Sequence, residues 1–504
     1  MHFIRFLMVG LLAFLLAMLR TVLAYAADLP NVLLIISDDH AAYVSGAYGN
    51  RQARTPNIDR LARNGVCFTR AFVNCPMCTP SRQSLLTGRL PHSIQVTQLQ
   101  TPLSDETVTL AEVLQKKGYD TAAIGKMHFN SRLTHGFALR QDVEDHNRFL
   151  KSRPPRSLPE GVAMLPVWKP FQDPARIWLN GSYLSYGAYD RDMAGAWFAG
   201  QARAFLHDHR EKPFFLVTSF YEPHSPFRFP LEYRDSFDPH AFAVPPVLSQ
   251  DTWQIPEIFR DLTPEEKQNI IASYYTSTEY MDHNVGRVLD GLEEEGLEEN
   301  TLVIYLGDNG YSLGQHGRFE KHTHFEESVR VPLIIRLPNN ESRHVQCDAM
   351  VELVELFPTV AEFCGAECPE AVEGRSLMPL LQGRTSEGRE FVFSEYYDNE
   401  EAMIRTPRYK LIYSTGKRER GDGYKTGLPL SGRTRLLYDL ETDPAETTDL
   451  ADDPSRAGLV EDLESEMFSR FVTTHPRAPD LPPGLSLEDQ LDYFLTFQEE
   501  SRNR

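Results

Sequence analysis

The chain is predicted to be an α/β protein: a doubly wound, largely parallel sheet flanked by helices, with a smaller C-terminal domain containing an antiparallel sheet. Three observations lead there. Residues 31–37 (NVLLIIS) and 301–306 (TLVIYL) are unbroken apolar runs, as in strands covered on both faces. Each run stops abruptly at polar residues, Asp38-Asp39 in one case and Gly307-Asp308-Asn309-Gly310 in the other. Between them helix and strand patterns alternate, which is how parallel strands are joined by crossover helices.

The elements follow in order. Residues 1–27 begin with His2 and Arg5, continue through an apolar stretch over 6–19 and end in Ala24-Tyr25-Ala26, the layout of a secretory signal. Arg20 interrupts the apolar run before it reaches spanning length, so export is expected and stable membrane insertion is not. The strand at 31–37 carries Asp38 and Asp39 to the carboxyl edge of the sheet, where open α/β sheets bind ligands. Residues 109–117 read as an amphipathic helix, 120–124 as a short strand, 195–207 as a helix and 213–219 as an apolar strand. A long helix is expected over 271–295, leading into the strand at 301–306. Short strands at 391–397, 403–406, 409–414 and 436–440 build the second sheet, and 485–500 reads as an acidic surface helix. The expected division is therefore a signal over 1–27, a catalytic domain over 28–383 and an α+β subdomain over 384–504.

The chain has 504 residues and a formal charge of −20, which excludes nucleic acid as a general partner because a phosphate backbone would be repelled. An anionic substrate needs a local cationic pocket on this acidic body. Such groups stand after predicted strands: Lys126 and His128 in Gly125-Lys126-Met127-His128, His224 in Glu222-Pro223-His224-Ser225-Pro226, and Lys321 after the Asp308 strand. His316, His322 and His324 crowd one loop. Four oxygen donors from two strand ends make a hard site suited to Ca²⁺, and less well to Mg²⁺. The six cysteines show no zinc spacing. Cys75 stands three residues before Cys78, so a disulfide there is the alternative use of Cys78, and Cys364 with Cys368 can pair if their loop is tight. Asn180 and Asn340 begin glycosylation sequons.

Residues 78–89, Cys78-Thr79-Pro80-Ser81-Arg82-Gln83-Ser84-Leu85-Leu86-Thr87-Gly88-Arg89, carry the most specific signal. This run resembles the signature of type I sulfatases, relatives of alkaline phosphatase, in both its CxPSR core and its closing TGR. Segments 314–333, 373–383 and 437–450 are also similar to that family, so the resemblance spans nearly the whole chain after residue 27. It implies that a maturation enzyme oxidises Cys78 to formylglycine, whose hydrate is the nucleophile. It further implies one divalent cation held by Asp38, Asp39, Asp308, Asn309 and the oxygen replacing the Cys78 sulfur. Lys126, His224 and Lys321 are implied as sulfate contacts, and Arg82 as the holder of the hydrate and the carboxylates. Asp308 is implied as the acceptor of the nucleophile's proton, His128 as the base that releases sulfate, and His224 or Lys321 as the acid for the leaving alcohol.

The expected substrate is a sulfated small molecule or glycan, read by variable loops such as 154–189. The 125–129 stretch also looks like branches acting on choline sulfate or phosphonate monoesters, so a phosphodiesterase or phosphonate monoester hydrolase is the second reading. A carbohydrate-binding homologue without turnover is the third, since fold alone does not specify function. The Gly-, Lys- and Arg-rich stretch 418–432 is expected as a solvated hairpin loop, with a reach over the site as its alternative.

Overall fold

The computed structural model describes residues 29–154, 156–166, 175–338, 345–420 and 423–496. The signal assigned to residues 1–27 and the sequon at Asn340 lie outside them. An eight-stranded sheet forms the centre, in the order β4-β3-β5-β1-β6-β7-β2-β8. Its strands are β1 (Asn31–Asp38), β2 (Val66–Phe72), β3 (Asp120–Gly125), β4 (Leu139–Gln141), β5 (Phe214–Pro223), β6 (Thr301–Gly307), β7 (Arg330–Arg336) and β8 (Val345–Glu352). β1 pairs in parallel with β5 and β6, β3 with β4 and β5, and β2 with β8. Only β7 runs antiparallel to its neighbours β6 and β2.

The unbroken apolar run of β1 is explained by its two covered faces. Val32, Leu34 and Ile36 join one core with residues of helices α2 (Cys78–Thr87), α3 (Leu110–Lys116) and α6 (Leu356–Phe363). Leu33 and Ile35 point the other way, into a core shared with α1 (Pro56–Arg63), α4 (Ala194–Asp208) and α5 (Pro264–Glu294). A side-chain period of two makes every second residue serve one layer. The second sheet is antiparallel, in the order β12-β11-β10-β9, from β9 (Val392–Tyr396), β10 (Glu401–Arg405), β11 (Tyr409–Ser414) and β12 (Thr434–Asp439). Helices α7 (Ala457–Thr474) and α8 (Leu487–Leu495) close its core.

Several expectations change in detail. Helix α5 begins at Pro264 rather than at 271: Thr263 and Glu266 form a capping box and Pro264 takes the first turn, but this polar turn carries no apolar periodicity. β2, β7 and β8 are not expected from the sequence, because Thr69-Arg70, Pro332 and the half-exposed start of β8 interrupt their patterns. All six cysteines are free thiols, so neither Cys75 with Cys78 nor Cys364 with Cys368 forms a disulfide. Cys364 is buried whereas Cys368 is exposed. Asn180 is buried, and its side-chain amide closes a turn on the backbone of Leu184, which leaves that sequon inaccessible. Helix α8 is not a bare surface helix: Leu491, Phe494 and Leu495 are buried, and Asp492 accepts from Tyr413, Lys417 and Arg433. No helix among the described residues is long and apolar enough to cross a membrane.

Candidate active site

The strand order brings the predicted polar residues together. β1 lies between β5 and β6, so their carboxyl ends set Asp38 and Asp39 between Glu222–His224 on one side and Asp308–Asn309 on the other. β3, beside β5, adds Lys126 and His128. The turn out of β3 requires glycine: Gly125 has φ +102°, and a Cβ there would lie 1.8 Å from the Ser219 carbonyl oxygen. Asp308 Oδ1 accepts the backbone N–H of Asp39 at 3.0 Å, which locks the two strand ends in register.

Helix α2 supplies the rest, and all ten of its residues are buried. Cys78 is its first residue, where the free N–H groups favour a negative side chain. Successive side chains then grip different strand ends. Ser81 donates to the Asp308 carbonyl at 2.6 Å. Arg82 donates from Nε to Asp308 Oδ2 at 2.6 Å and through its terminal N–H groups to the Lys126 carbonyl at 2.5 Å and Ser219 Oγ at 2.7 Å. Gln83 donates to the carbonyls of Met127 and His128. The helix stops at Gly88, whose φ of +66° provides the left-handed cap and whose missing side chain admits Phe357. Of these clamps sequence reading finds only Arg82; Ser81 and Gln83 carry no signal beyond the motif itself, and Ser219 is an ordinary residue near the end of β5.

Thr79 sets the state of His128. Its hydroxyl donates to the Leu99 carbonyl at 2.8 Å and lies 3.1 Å from His128 Nδ1. A hydroxyl has one hydrogen and a carbonyl can only accept, so the ring contact requires Nδ1 to be the donor. Nε2 is then the ring's acceptor, with no hydrogen-bond partner among the described residues. Burial, Lys126 and Arg82 all hold His128 well below the usual imidazole range, which keeps the ring neutral.

The charges interlock. Lys126 Nζ donates to Asp38 Oδ2 and approaches Cys78 Sγ at 3.6 Å. Lys321 Nζ donates to Asp39 Oδ1 at 2.5 Å and to Cys78 Sγ at 2.6 Å, and His224 Nε2 stands 3.8 Å from Asp39 Oδ2. Burial and Asp38 push the Cys78 thiol up, but Lys126, Lys321 and a hydrogen bond from His224 outweigh them and bring it down to about 6. Burial opposes ionisation of Asp38, yet Lys126, His224, Lys321 and Arg82 together hold it well below the carboxylate range. Burial carries Asp39 up to about 7 and also raises Asp308 despite Arg82. His224 loses charge to burial but is raised overall by Asp38 and Asp39.

Ligand atoms of Asp38, Asp39, Cys78 and His224 all lie within 4.8 Å of one another. Asp308 and Asn309 stand beside them at the end of β6. Asp38 Oδ1 and Asn309 Oδ1 are buried with no hydrogen-bond partner, so oxygen donors are left over at the centre of the cluster. An oxygen-rich set with orphaned carboxylate and amide oxygens fits a hard divalent cation. The residues therefore suit Ca²⁺ or Mg²⁺, with the sulfur of Cys78 standing where a harder oxygen ligand would be needed.

Above these groups lies a cavity of about 320 Å³, with Asp39, Cys78, Lys126, His128, His224 and Lys321 at its floor. Its walls include Trp178, Tyr221, Tyr311 and Tyr424. Tyr424 corrects one expectation: part of the 418–432 stretch reaches the site instead of forming a solvated hairpin, and Arg420 anchors it through Glu320 Oε2 at 2.7 Å. Trp178 belongs to the 154–189 stretch, so that loop also reaches the cavity. Of the three clustered histidines only His322 lines it. His324 Nδ1 pairs with Glu401 at 2.6 Å, and His316 stacks on Phe325 with ring centroids 3.6 Å apart.

Residues 30–366 match the family model described as Sulfatase, and 314–472 match that of the N-sulphoglucosamine sulphohydrolase C-terminal region. A Delta 4,5-hexuronate-2-O-sulfatase of Bacteroides thetaiotaomicron is 28% identical over 503 residues, covering 92% of this chain and 95% of its own. An arylsulfatase of Clostridium perfringens is 29% identical over 450 residues, with 84% and 90% covered. The crystal structure of a phosphonate monoester hydrolase of Agrobacterium radiobacter superposes with a TM-score of 0.75 at 25% identity, over 90% of this chain and 97% of that one.

Proposed function

The chain belongs to the sulfatase family, hydrolases of sulfate esters, and from that premise we propose an exported, formylglycine-dependent sulfatase acting on a sulfated carbohydrate. The observation that carries this reading is Cys78, buried at the start of α2 between Lys126 and Lys321 and beside Asp38 and Asp39. The hydrated aldehyde at position 78 would offer two hydroxyls, one to attack sulfur and one whose deprotonation frees the product. A bound Ca²⁺, with Mg²⁺ as the weaker fit, would be held by Asp38, Asp39, Asp308, Asn309 and residue 78, and would supply charge that lowers the pKa of the attacking hydroxyl. Lys126, His224 and Lys321 contact the sulfate oxygens, where cations fixed in advance stabilise spread negative charge. Arg82 holds the carboxylates, Asp308 takes the nucleophile's proton, His128 accepts at Nε2 and His224 or Lys321 protonates the leaving alcohol. The catalytic unit spans 28–383 and the C-terminal subdomain 384–504. The names of the relatives acting on hexuronate 2-O-sulfate and N-acetylglucosamine 6-O-sulfate support a glycan substrate, and residues 1–27 support export.

The test is hydrolysis of 4-nitrophenyl sulfate by protein coexpressed with a formylglycine-generating enzyme, beside hydrolysis of a phenylphosphonate monoester. Sulfate release with the larger kcat/KM supports the proposal. The phosphonate monoester hydrolase reading rests on the structural neighbour of that activity and displaces the proposal if the preference is reversed. Chelation is expected to lower turnover at least tenfold, with recovery on adding Ca²⁺; full activity in metal-free protein would remove the cation from the reading.

Thr79→Val keeps the shape of the side chain but removes the acceptor for His128 Nδ1. We expect kcat to fall about tenfold, less than the roughly 10²- to 10⁴-fold that a general acid–base group contributes, because the ring is disordered between tautomers and not removed, with Thr79→Ser restoring most of it. Nitrogen-15 histidine spectra should show the Nδ1–H tautomer in the native protein and a tautomer mixture in Thr79→Val. An unchanged spectrum would show that Thr79 does not set the ring.

A further inference from the structure

Most of the cationic groups in the cavity are compensated. Lys126 pairs with Asp38, Lys321 with Asp39 at 2.5 Å, His224 faces Asp39 at 3.8 Å and His322 faces Glu320 at 3.9 Å. Arg228 also lines the cavity, yet no carboxylate lies within ion-pair distance of it among the described residues. Its Nε is buried and has no hydrogen-bond partner. The guanidinium lies over Tyr186, 4.5 Å from the ring centroid, an arrangement that fixes its plane and leaves its edge N–H groups for a ligand.

Glu222 is the nearby carboxyl to consider, because it lines the same cavity. Its Oε2 is turned toward the start of α4, where a Cβ at Gly195 would meet it at 3.1 Å; Arg228 favours its ionised form through space, but the two make no direct ion pair. Tyr221 and Trp178 line the same cavity with their rings. Arg228 is half-buried, acts on Glu222 only through space and makes no direct ion pair, so its fork keeps hydrogen-bonding capacity for an anionic ligand in the cavity.

We propose that Arg228 forms a second anion subsite, so that the preferred substrate carries, besides the sulfate being cleaved, another anionic group on its leaving sugar. The proposal rests on the sulfatase reading of the same cavity. A guanidinium fork suits two coplanar acceptor oxygens, so the partner is a uronate carboxylate or a second sulfate ester. The aromatic walls take the less polar face of the sugar, while Arg228 sets its orientation. Arg228 acts in recognition and takes no part in proton transfer.

The experiment compares matured wild type with Arg228→Met and Arg228→Lys on three substrates: 4-nitrophenyl sulfate, a 2-O-sulfated hexuronate and a glucosamine 2-N,6-O-disulfate. The expected result is a 10- to 100-fold fall, in Arg228→Met, in the ratio of kcat/KM on one dianionic sugar to that on the aryl sulfate, mostly through KM. Arg228→Lys should lie between, since it keeps the charge and loses the fork. Whichever sugar shows the fall identifies the carboxylate or the sulfate as the partner. Unchanged ratios on both overturn the proposal. A further measurement is calorimetric binding of free glucuronate and glucose 6-sulfate, each against glucose, to wild type and to Arg228→Met. A preference for either anion over glucose that falls in Arg228→Met supports the subsite whether or not the protein turns over sulfates, and a preference unchanged by the substitution overturns it. Absence of any turnover would count against the sulfatase reading and leave this comparison standing.

Discussion

In Cys78→Ala, turnover of sulfate esters falls to background while the protein stays folded. Removing a nucleophile that acts as one unit with its bases and cations typically costs on the order of 10⁶ in rate. Alanine also leaves Lys126 and Lys321 without the anionic partner that each approaches at Sγ. The informative companion is native protein made without the maturation enzyme. Its thiol is ionised near neutral pH, since the two lysines outweigh burial, so it remains nucleophilic. It lacks a second hydroxyl whose deprotonation releases the product, so repeated turnover should be absent. The check is kcat together with the mass of the peptide containing residue 78, which should lose the difference between thiol and aldehyde only after maturation. Multiple turnover by protein whose residue 78 is still a thiol would defeat the formylglycine reading, and activity in Cys78→Ala would defeat the nucleophile assignment.

Arg82→Ala is expected to damage both stability and rate. Arg82 is 1% exposed and serves Asp308, the Lys126 carbonyl and Ser219 at once. Deleting one member of a buried ion pair leaves the other charge unpaired and costs about 3–5 kcal/mol. Asp308, already raised by burial, would then favour its protonated form, and β3 and β6 would lose a shared clamp. We expect kcat/KM to fall at least 10³-fold, as for loss of a preorganised electrostatic group together with its positioning role. Arg82→Lys should recover part of the stability and little of the rate, because an ammonium cannot bond three acceptors in the fixed directions of a guanidinium. Denaturant unfolding measures the first effect and steady-state kinetics the second. A variant within 1 kcal/mol of the native protein and within threefold of its activity would show that Arg82 is not the clamp.

Some of this was legible before any coordinates. The apolar runs that became β1 and β6 are buried throughout, and both deliver their acidic residues to one place. Period-two alternation hid nothing there, because both faces of each strand are covered. Strands β2, β7 and β8 were illegible for the opposite reason: polar residues, a proline and an exposed start break their patterns, and pairing with neighbours supplies what propensity does not. Tyr424 and Trp178 belong to loops with no periodicity, so nothing local marks them as walls of the same cavity.

The sequence by itself determined the fold class, the motif around Cys78, and the acidic and cationic residues at the strand ends. These depend on neighbours along the chain: an apolar run, a helix with a glycine cap, a strand that stops at an acid. Only the tertiary structure decided that Ser81 reaches Asp308, that Thr79 holds His128 in one tautomer and that Arg228 faces the cavity without a direct ion pair. Those contacts join groups far apart in the chain, as Ser81 and Asp308 are at 227 residues. Their geometry follows from the order in which the strands assemble, and strand order is a property of the packed whole.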